Sequence, residues 1–277
     1  MQGGARLNTL PPVELTNSRV LITGATGGLG TEIARELHER GATVLLSGRQ
    51  LDVLERLRTE LGERAEVLAA DLSDRNAVAT LPERAGRVDV LIANAGLSAS
   101  GSLTSFEPDQ IDRALDVNLR APVQLARAFV PAMKERGLGH LVFISSLSGK
   151  VASPGTSLYS ATKFGMRGFA LALREDLDRS GVGVTTVFPG FIRDAGMFHD
   201  SGAKLPFYVG TKKPQHVARA VARGIDREKL EIDVAPFGLR ASARFAGVAP
   251  GLVGAAQRRF GGSKISDAIA TGHIDKR

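Results

Sequence analysis

Short apolar runs that alternate with longer helical patterns constrain this chain more than any other feature. Arg19–Thr23 (RVLIT), Ala42–Ser47, Glu66–Ala70, Val88–Ala93, His140–Ser145 and Val182–Phe188 are six such runs, and Leu230–Val234 is a seventh. Between them lie Thr31–Arg40, Leu51–Leu61, a long zone from about Pro108 to Arg136, Tyr159–Arg179 and Pro214–Arg223. Leucines at 51, 54, 57 and 61 typify their helical spacing. Runs with almost no polar alternation are strands buried on both faces, which requires a parallel sheet covered by helices on each side. No repeat or linker interrupts the series. The expectation is one doubly wound α/β domain over residues 19–236, with a parallel sheet of about seven strands. An N-terminal extension (1–18) precedes it and a basic, loop-rich extension (237–277) follows.

Composition narrows the chemistry. The 277 residues, 43% of them hydrophobic and 23% charged, are ample for a large core. The chain has no cysteine, so disulfides, thiolate nucleophiles and cysteine-ligated metals are excluded, and its five histidines are scattered. No stretch reaches the roughly 18 consecutive apolar residues of a spanning helix, and Met1–Leu15 lacks a compact apolar signal region. A cytoplasmic protein is the expectation. The net charge of +7 is unevenly placed: residues 198–277 hold 14 basic and 7 acidic side chains, whereas residues 1–197 balance at 22 of each.

The first apolar run is followed by Thr23-Gly24-Ala25-Thr26-Gly27-Gly28-Leu29-Gly30 and then by a helical pattern. Glycines between a strand and a helix let the backbone turn sharply and approach a pyrophosphate, which sits where free N–H groups and the helix dipole favour negative charge. Glycine also serves plain tight turns, but the strand before and the helix after supply the context that dinucleotide binding requires. Further on, Tyr159 and Lys163 lie four apart at a helix start and so share a face. A free tyrosine, with a pKa of about 10, is a poor base at neutral pH, and a neighbouring ammonium favours its phenolate. The pair is a candidate acid/base unit at a carbinol or carbonyl oxygen. Alone, this spacing favours the plainer reading, the start of an ordinary amphipathic helix. Ser145 and Ser146 close the fifth run, at the strand edge where open parallel sheets bind ligands.

Taken in order, these motifs resemble the short-chain dehydrogenase/reductase family. The resemblance rests on TGxxxGxG at Thr23–Gly30, Asp71-Leu72, Asn94-Ala95-Gly96, Asn118, Ser146 placed 13 residues before Tyr159, Tyr159-x-x-x-Lys163, and Pro189-Gly190. It covers about Arg19 to Met197 and implies a Rossmann-type fold and hydride transfer between a nicotinamide cofactor and a carbonyl/secondary-alcohol pair. It further implies that Tyr159 is the general acid or base, and that Lys163 holds the nicotinamide ribose and depresses the tyrosine pKa. Ser146 would bond the substrate oxygen, and Asn118 would position a water that leads protons to Lys163. Gly24, Thr26, Gly28, Leu29, Gly30, Asp71, Leu72, Asn94, Ala95, Gly96, Tyr159, Lys163, Pro189, Gly190 and Ile192 would contact the dinucleotide, without any metal. A homodimer or homotetramer built on the helices around Asn118 and Tyr159 is also implied. One departure is Asp194, which stands where the family often has a threonine that bonds the nicotinamide carboxamide.

The second run ends Ser47-Gly48-Arg49, with glycine where an acidic residue would bond the adenosine ribose. Arg49 could pair with a 2′-phosphate, so NADP(H) is preferred and NAD(H) is the alternative; a solvated arginine is the plainer reading. Phe191–Thr211 follows the sixth run as a cover over a small-molecule substrate. Its Phe191, Met197, Phe198, Leu205, Pro206, Phe207 and Tyr208 suit a lipophilic compound, or equally pack the cover on its own domain. The stretch from Phe237 to Phe260 mixes apolar residues with arginines and has no acid. A helix docked on the body is preferred there over peripheral membrane contact, because Pro250 and Gly251 break it in two. No nucleic-acid-binding motif is present. A dinucleotide-binding, membrane-associated protein with little turnover is the alternative to an enzyme.

Overall fold

The computed structural model describes residues 13–203, 205, 209–259, 268–269 and 271–272. Seven strands form one sheet in the order β3-β2-β1-β4-β5-β6-β7, every pair parallel. They are β1 (Arg19–Thr23), β2 (Thr43–Ser47), β3 (Ala65–Val67), β4 (Val90–Ala93), β5 (Gly139–Ile144), β6 (Val182–Pro189) and β7 (Glu231–Val234). Each strand's side chains alternate between two apolar layers. Val20 and Ile22, Val44 and Leu46, and Val142 and Ile144 point into one layer, filled by Ile33, Leu37, Val217 and Val221. Leu21, Leu45, Leu141 and Phe143 point into the other, filled by Leu81, Leu125, Met133 and Met166. That two-sided burial is why the strands read as continuous apolar runs.

The first layer is supplied by α1 (Gly28–Glu39), α2 (Leu51–Leu61) and α8 (Pro214–Asp226), and the second by α3 (Arg75–Ala85), α5 (Ala121–Arg136) and α6 (Ser157–Asp176). The expected long zone is two helices, α4 (Pro108–Leu115) and α5, joined by a π-helical turn over Asp116–Arg120. Helix α3 had no counterpart among the expected elements, because Pro82 stands inside it. Its signals were Asp74, whose side chain accepts the Asn76 N–H at 2.8 Å, and the buried Val78, Leu81 and Ala85. The short α7 (Met197–Asp200) lies in the cover, and α9 (Phe237–Ala246) and α10 (Pro250–Arg259) split at Pro250 as expected. No helix among the described residues is long and apolar enough to cross a membrane.

After β1 the chain turns to β2 on one side, and it later returns through β4 on the other. The carboxyl ends of β1 and β4 therefore border a crevice at the point where the strand order reverses, the usual ligand site of such sheets.

Candidate active site

The glycine turn occupies that crevice. Gly24 adopts φ +66°, and a Cβ there would sit 2.8 Å from Ala95 Cα. A Cβ on Gly30 would overlap the Gly24 carbonyl oxygen, and one on Gly28 would run into Ala195 Cβ. The turn is tied to β4 by side chains: Asn94 Nδ2 donates to the Thr23 and Gly24 carbonyls at 3.0 and 3.1 Å, and the Asn94 and Ala95 N–H groups both reach Thr23 Oγ1 at 3.1 Å. Helix α1 begins at the turn with no side-chain cap and no acid in its first turn, which leaves its positive end for an anion.

A cavity of about 500 Å³ opens over this helix end, walled by Gly24, Thr26, Gly28, Leu29, Gly30, Arg49, Asp71, Leu72, Asn94, Ala95 and Gly96. An elongated dinucleotide fits such a wall, with glycines and helix N–H groups at its centre and polar groups at its rim. At one end, a Cβ on Gly48 would lie 3.1 Å from Thr26 Cγ2, a tight contact with a side chain. Arg49 is exposed beside it. Partial burial acts to raise the Asp71 carboxyl, but the Ser73 N–H and hydroxyl on Asp71 Oδ1, at 2.9 and 2.7 Å, outweigh it together with Arg49 and Arg113, and hold it below its usual range. Arg113 of α4 lines the same cavity, a contribution that sequence reasoning missed; its position on a helix far from any glycine motif gave no signal.

A second cavity, about 280 Å³, adjoins the ends of β5 and β6. Ser146 and Tyr159 stand in its wall among Leu147, Val151, Phe191, Met197, Phe198, Val209 and Leu239. Ser146 immediately follows the Ser145 that ends the strand run, and α6 starts at Ser157, so one turn of helix carries Tyr159 and Lys163 beneath the same edge. Burial pushes the Tyr159 phenol up to about 12, although a hydrogen bond from Ser146 acts to lower it. Lys163 is buried, donates to the Ile144 carbonyl at 3.0 Å, and is brought down to about 8 by that burial. Its Nζ stands 5.7 Å from the tyrosine ring centre. The expected depression of the tyrosine pKa by Lys163 is thus absent here, because the ammonium faces a backbone carbonyl while the phenol is desolvated.

Asn118 sits in the π turn, where widened winding is common at functional positions. Its Oδ1 accepts the Leu97 N–H at 2.6 Å and its Nδ2 donates to the Leu97 carbonyl at 3.0 Å, so it clamps the loop after β4. Both Asn118 and Lys163 border Gly96, whose Cβ would lie 3.4 Å from Asn118 Oδ1 and 3.7 Å from Lys163 Nζ. Gly190 lines the second cavity, and Pro189 ends β6. Ile192 is buried in the first apolar layer and pairs with Lys212, outside the wall of the first cavity. Asp194 adopts φ +72°, is exposed and pairs with Arg193, so its carboxylate is turned away from both cavities. In the cover, Phe191 and Phe198 stack edge to face at 5.1 Å; Lys204, Pro206, Phe207 and Tyr208 lie outside the described residues.

The chain is similar in sequence and fold to known proteins. The profile of the family described as short chain dehydrogenase matches residues 18–205. Nodulation protein G of Rhizobium meliloti (strain 1021) is 39% identical over 186 residues, 66% of this chain and 76% of that protein. A short-chain dehydrogenase from Sphingobium yanoikuyae in complex with NADPH superposes with a TM-score of 0.74 at 30% identity, covering 85% of this chain and 94% of its own. A 3-oxoacyl-[acyl-carrier protein] reductase with bound NAD from Brucella melitensis gives 0.71 at 30% identity, covering 82% and 92%. The chain belongs to the short-chain dehydrogenase family and is an oxidoreductase of the Rossmann-like α/β fold.

Proposed function

We propose that the protein is an NADP(H)-dependent reductase that converts a lipophilic carbonyl compound to its secondary alcohol. The observation that carries this reading is the placement of Ser146 and Tyr159 together in a cavity next to the glycine-lined one, where Leu147, Val151, Phe191, Met197, Phe198, Val209 and Leu239 supply apolar wall between the hydroxyls of other serines and Thr156. The bound nicotinamide supplies the hydride. The protein's part is to hold the substrate oxygen and deliver a proton to it. A phenol raised to about 12 keeps its proton at neutral pH, which suits Tyr159 to donate to an oxygen that gains negative charge. The Ser146 hydroxyl adds a second hydrogen bond to that oxygen and so stabilises charge that develops there. Lys163 lies buried behind the pair with its ammonium on the Ile144 carbonyl, and Asn118 fixes the loop that borders them.

The dinucleotide reading assigns the phosphates to the α1 end, the adenine to Asp71 and Leu72, and the ribose 2′-phosphate to Arg49. Support for NADP(H) over NAD(H) is the glycine at 48 and the exposed Arg49 beside it. A charge-assisted bond of about 1.5–3 kcal/mol corresponds to roughly a ten- to hundred-fold effect on affinity. Arg49→Gln should therefore weaken NADP⁺ by at least about ten-fold and leave NAD⁺ unchanged, as read by thermal-shift titration; equal losses for both would remove Arg49 from the 2′-phosphate site. The substrate class is tested with straight-chain methyl ketones and NADPH. Each added methylene that reaches the cavity should raise kcat/KM by about four-fold, from about 0.8 kcal/mol of burial. A flat series would refute a lipophilic site.

A further inference from the structure

The molecule carries a second built surface, on the side of the sheet closed by β7. A cleft of about 570 Å³ runs along that edge strand, between α8 and α9. Seven cations line it, Lys150, Arg167, Arg223, Arg227, Lys229, Arg240 and Arg244, against two acids, Glu231 and Asp233. The acids are already used. Lys150 contacts Glu231 and Asp233 at 2.8 and 2.7 Å, and Arg167 contacts Glu231 at 2.7 Å. Arg223, Arg227, Lys229, Arg240 and Arg244 are exposed and have no carboxylate partner among the described residues.

Helix α9 joins this charge to apolar surface. At about 100° per residue, Leu239, Ala243 and Ala246 fall on one face; Leu239 and Ala243 pack with Leu147, Phe188 and Ala235, Ala246 is buried, and Leu239 and Ser242 also wall the second cavity. The docked C-terminal helix expected from sequence is this inward face. The opposite face carries Arg240 and Arg244 beside Phe237 and Phe245, which are 78% and 52% exposed. Val248 and Leu252 follow at 85% and 67%. These four make up half of the large exposed hydrophobic side chains among the described residues, and they fall within 16 positions. No acid interrupts the sequence from Val234 to Ser266.

We propose that this face seats the enzyme on an anionic lipid bilayer. Phe237, Phe245, Val248 and Leu252 enter the interface, and Arg240, Arg244 and the cations of the cleft meet the lipid phosphates. Charge decides against a second copy of the chain as occupant. A two-fold contact presents the same patch to itself, so it would bring five unpaired cations against five. The same charges also keep the open edge of β7 from pairing strand to strand. Seating is independent of the reductase reading; only entry of a lipophilic substrate from the bilayer, past α9, rests on it.

The test is co-sedimentation of the whole protein with phosphatidylcholine vesicles, with and without about 30 mol % phosphatidylserine. Binding is expected only with phosphatidylserine and should fall at high salt. Arg240→Gln with Arg244→Gln should lower the partition coefficient about thirty-fold, at about five-fold per arginine. Phe237→Ser with Phe245→Ser should lower it about ten-fold per phenylalanine. All four side chains are exposed, and an unchanged Tm in each variant separates lost seating from lost folding. Tyr159→Phe should bind vesicles as the wild type does, which keeps failure of the catalytic reading distinct. The proposal is overturned by equal sedimentation with neutral and anionic vesicles, or by variants that bind like the wild type. It is equally overturned if vesicles fail to bind while inorganic phosphate raises the Tm through Arg240 and Arg244, or while those variants split a dimer.

Discussion

Tyr159→Phe should lower turnover by about 10²–10⁴-fold and leave NADP⁺ binding unchanged. The lower and upper bounds are the usual contribution of a positioned general acid. Phenylalanine keeps the ring that closes the cavity and removes only the proton that the substrate oxygen needs. Tyr159 lines the second cavity, whereas the first is walled by the glycine turn and the ends of β2 and β4, so the two readouts separate. Steady-state NADPH oxidation and a thermal-shift titration on the same preparation check both halves. A variant that turns over like the wild type would take Tyr159 out of proton transfer. One that loses NADP⁺ binding as well would make its role structural.

The second large effect is expected within the glycine turn itself, from two substitutions three residues apart. Gly30→Ala places a methyl on the Gly24 carbonyl oxygen, a backbone atom that cannot swing aside. Relief requires α1 to move away from β1, and overpacking of this kind costs about 3 kcal/mol. The same shift displaces the Gly24 backbone, so stabilisation by NADP⁺ should be lost as well. Gly27→Ala meets nothing nearer than 3.5 Å and has an ordinary extended conformation, φ −81° and ψ 152°. It should remain within about 1 kcal/mol of the wild type, the cost of a poorer N-cap residue, and retain binding. Urea denaturation with and without NADP⁺ measures both. Equal behaviour of the two variants would contradict the close approach of turn and helix.

The sheet was legible because each strand is covered on both faces, which leaves an unbroken apolar run such as VLIT or HLVFI. Boundaries were less so. The third run was expected to extend to Ala70, yet the ladder ends at Val67; beyond it only alternate N–H groups, those of Leu68 and Ala70, still reach Leu46 and Gly48. Helix α3 was hidden by Pro82, which periodicity treats as a break. The π turn was hidden because one extra residue in a helix changes no pattern of residue types.

At the site, the residues whose roles follow from backbone shape were readable from sequence. Gly24, Gly28 and Gly30 must lack side chains wherever a strand, a tight turn and a helix crowd together, and the motif records that requirement. The chemistry of the polar residues was not fixed in the same way. Sequence paired Tyr159 with Lys163 by helical spacing, but burial and the Ile144 carbonyl determine that the phenol is raised and the lysine lowered. Asp194 occupies a motif position, but a left-handed backbone turns it toward Arg193.

What the chain order alone determined is therefore the parallel sheet, the glycine turn after β1 and the proximity of Ser146, Tyr159 and Lys163, because each depends on local spacing and on apolar patterning. Tertiary structure alone decided that burial shifts Tyr159 and Lys163, that Arg113 joins the wall of the first cavity, and that β7, α8 and α9 gather five cations without a carboxylate partner among the described residues beside exposed phenylalanines. These properties depend on distance and desolvation between segments far apart in sequence, which no local pattern encodes.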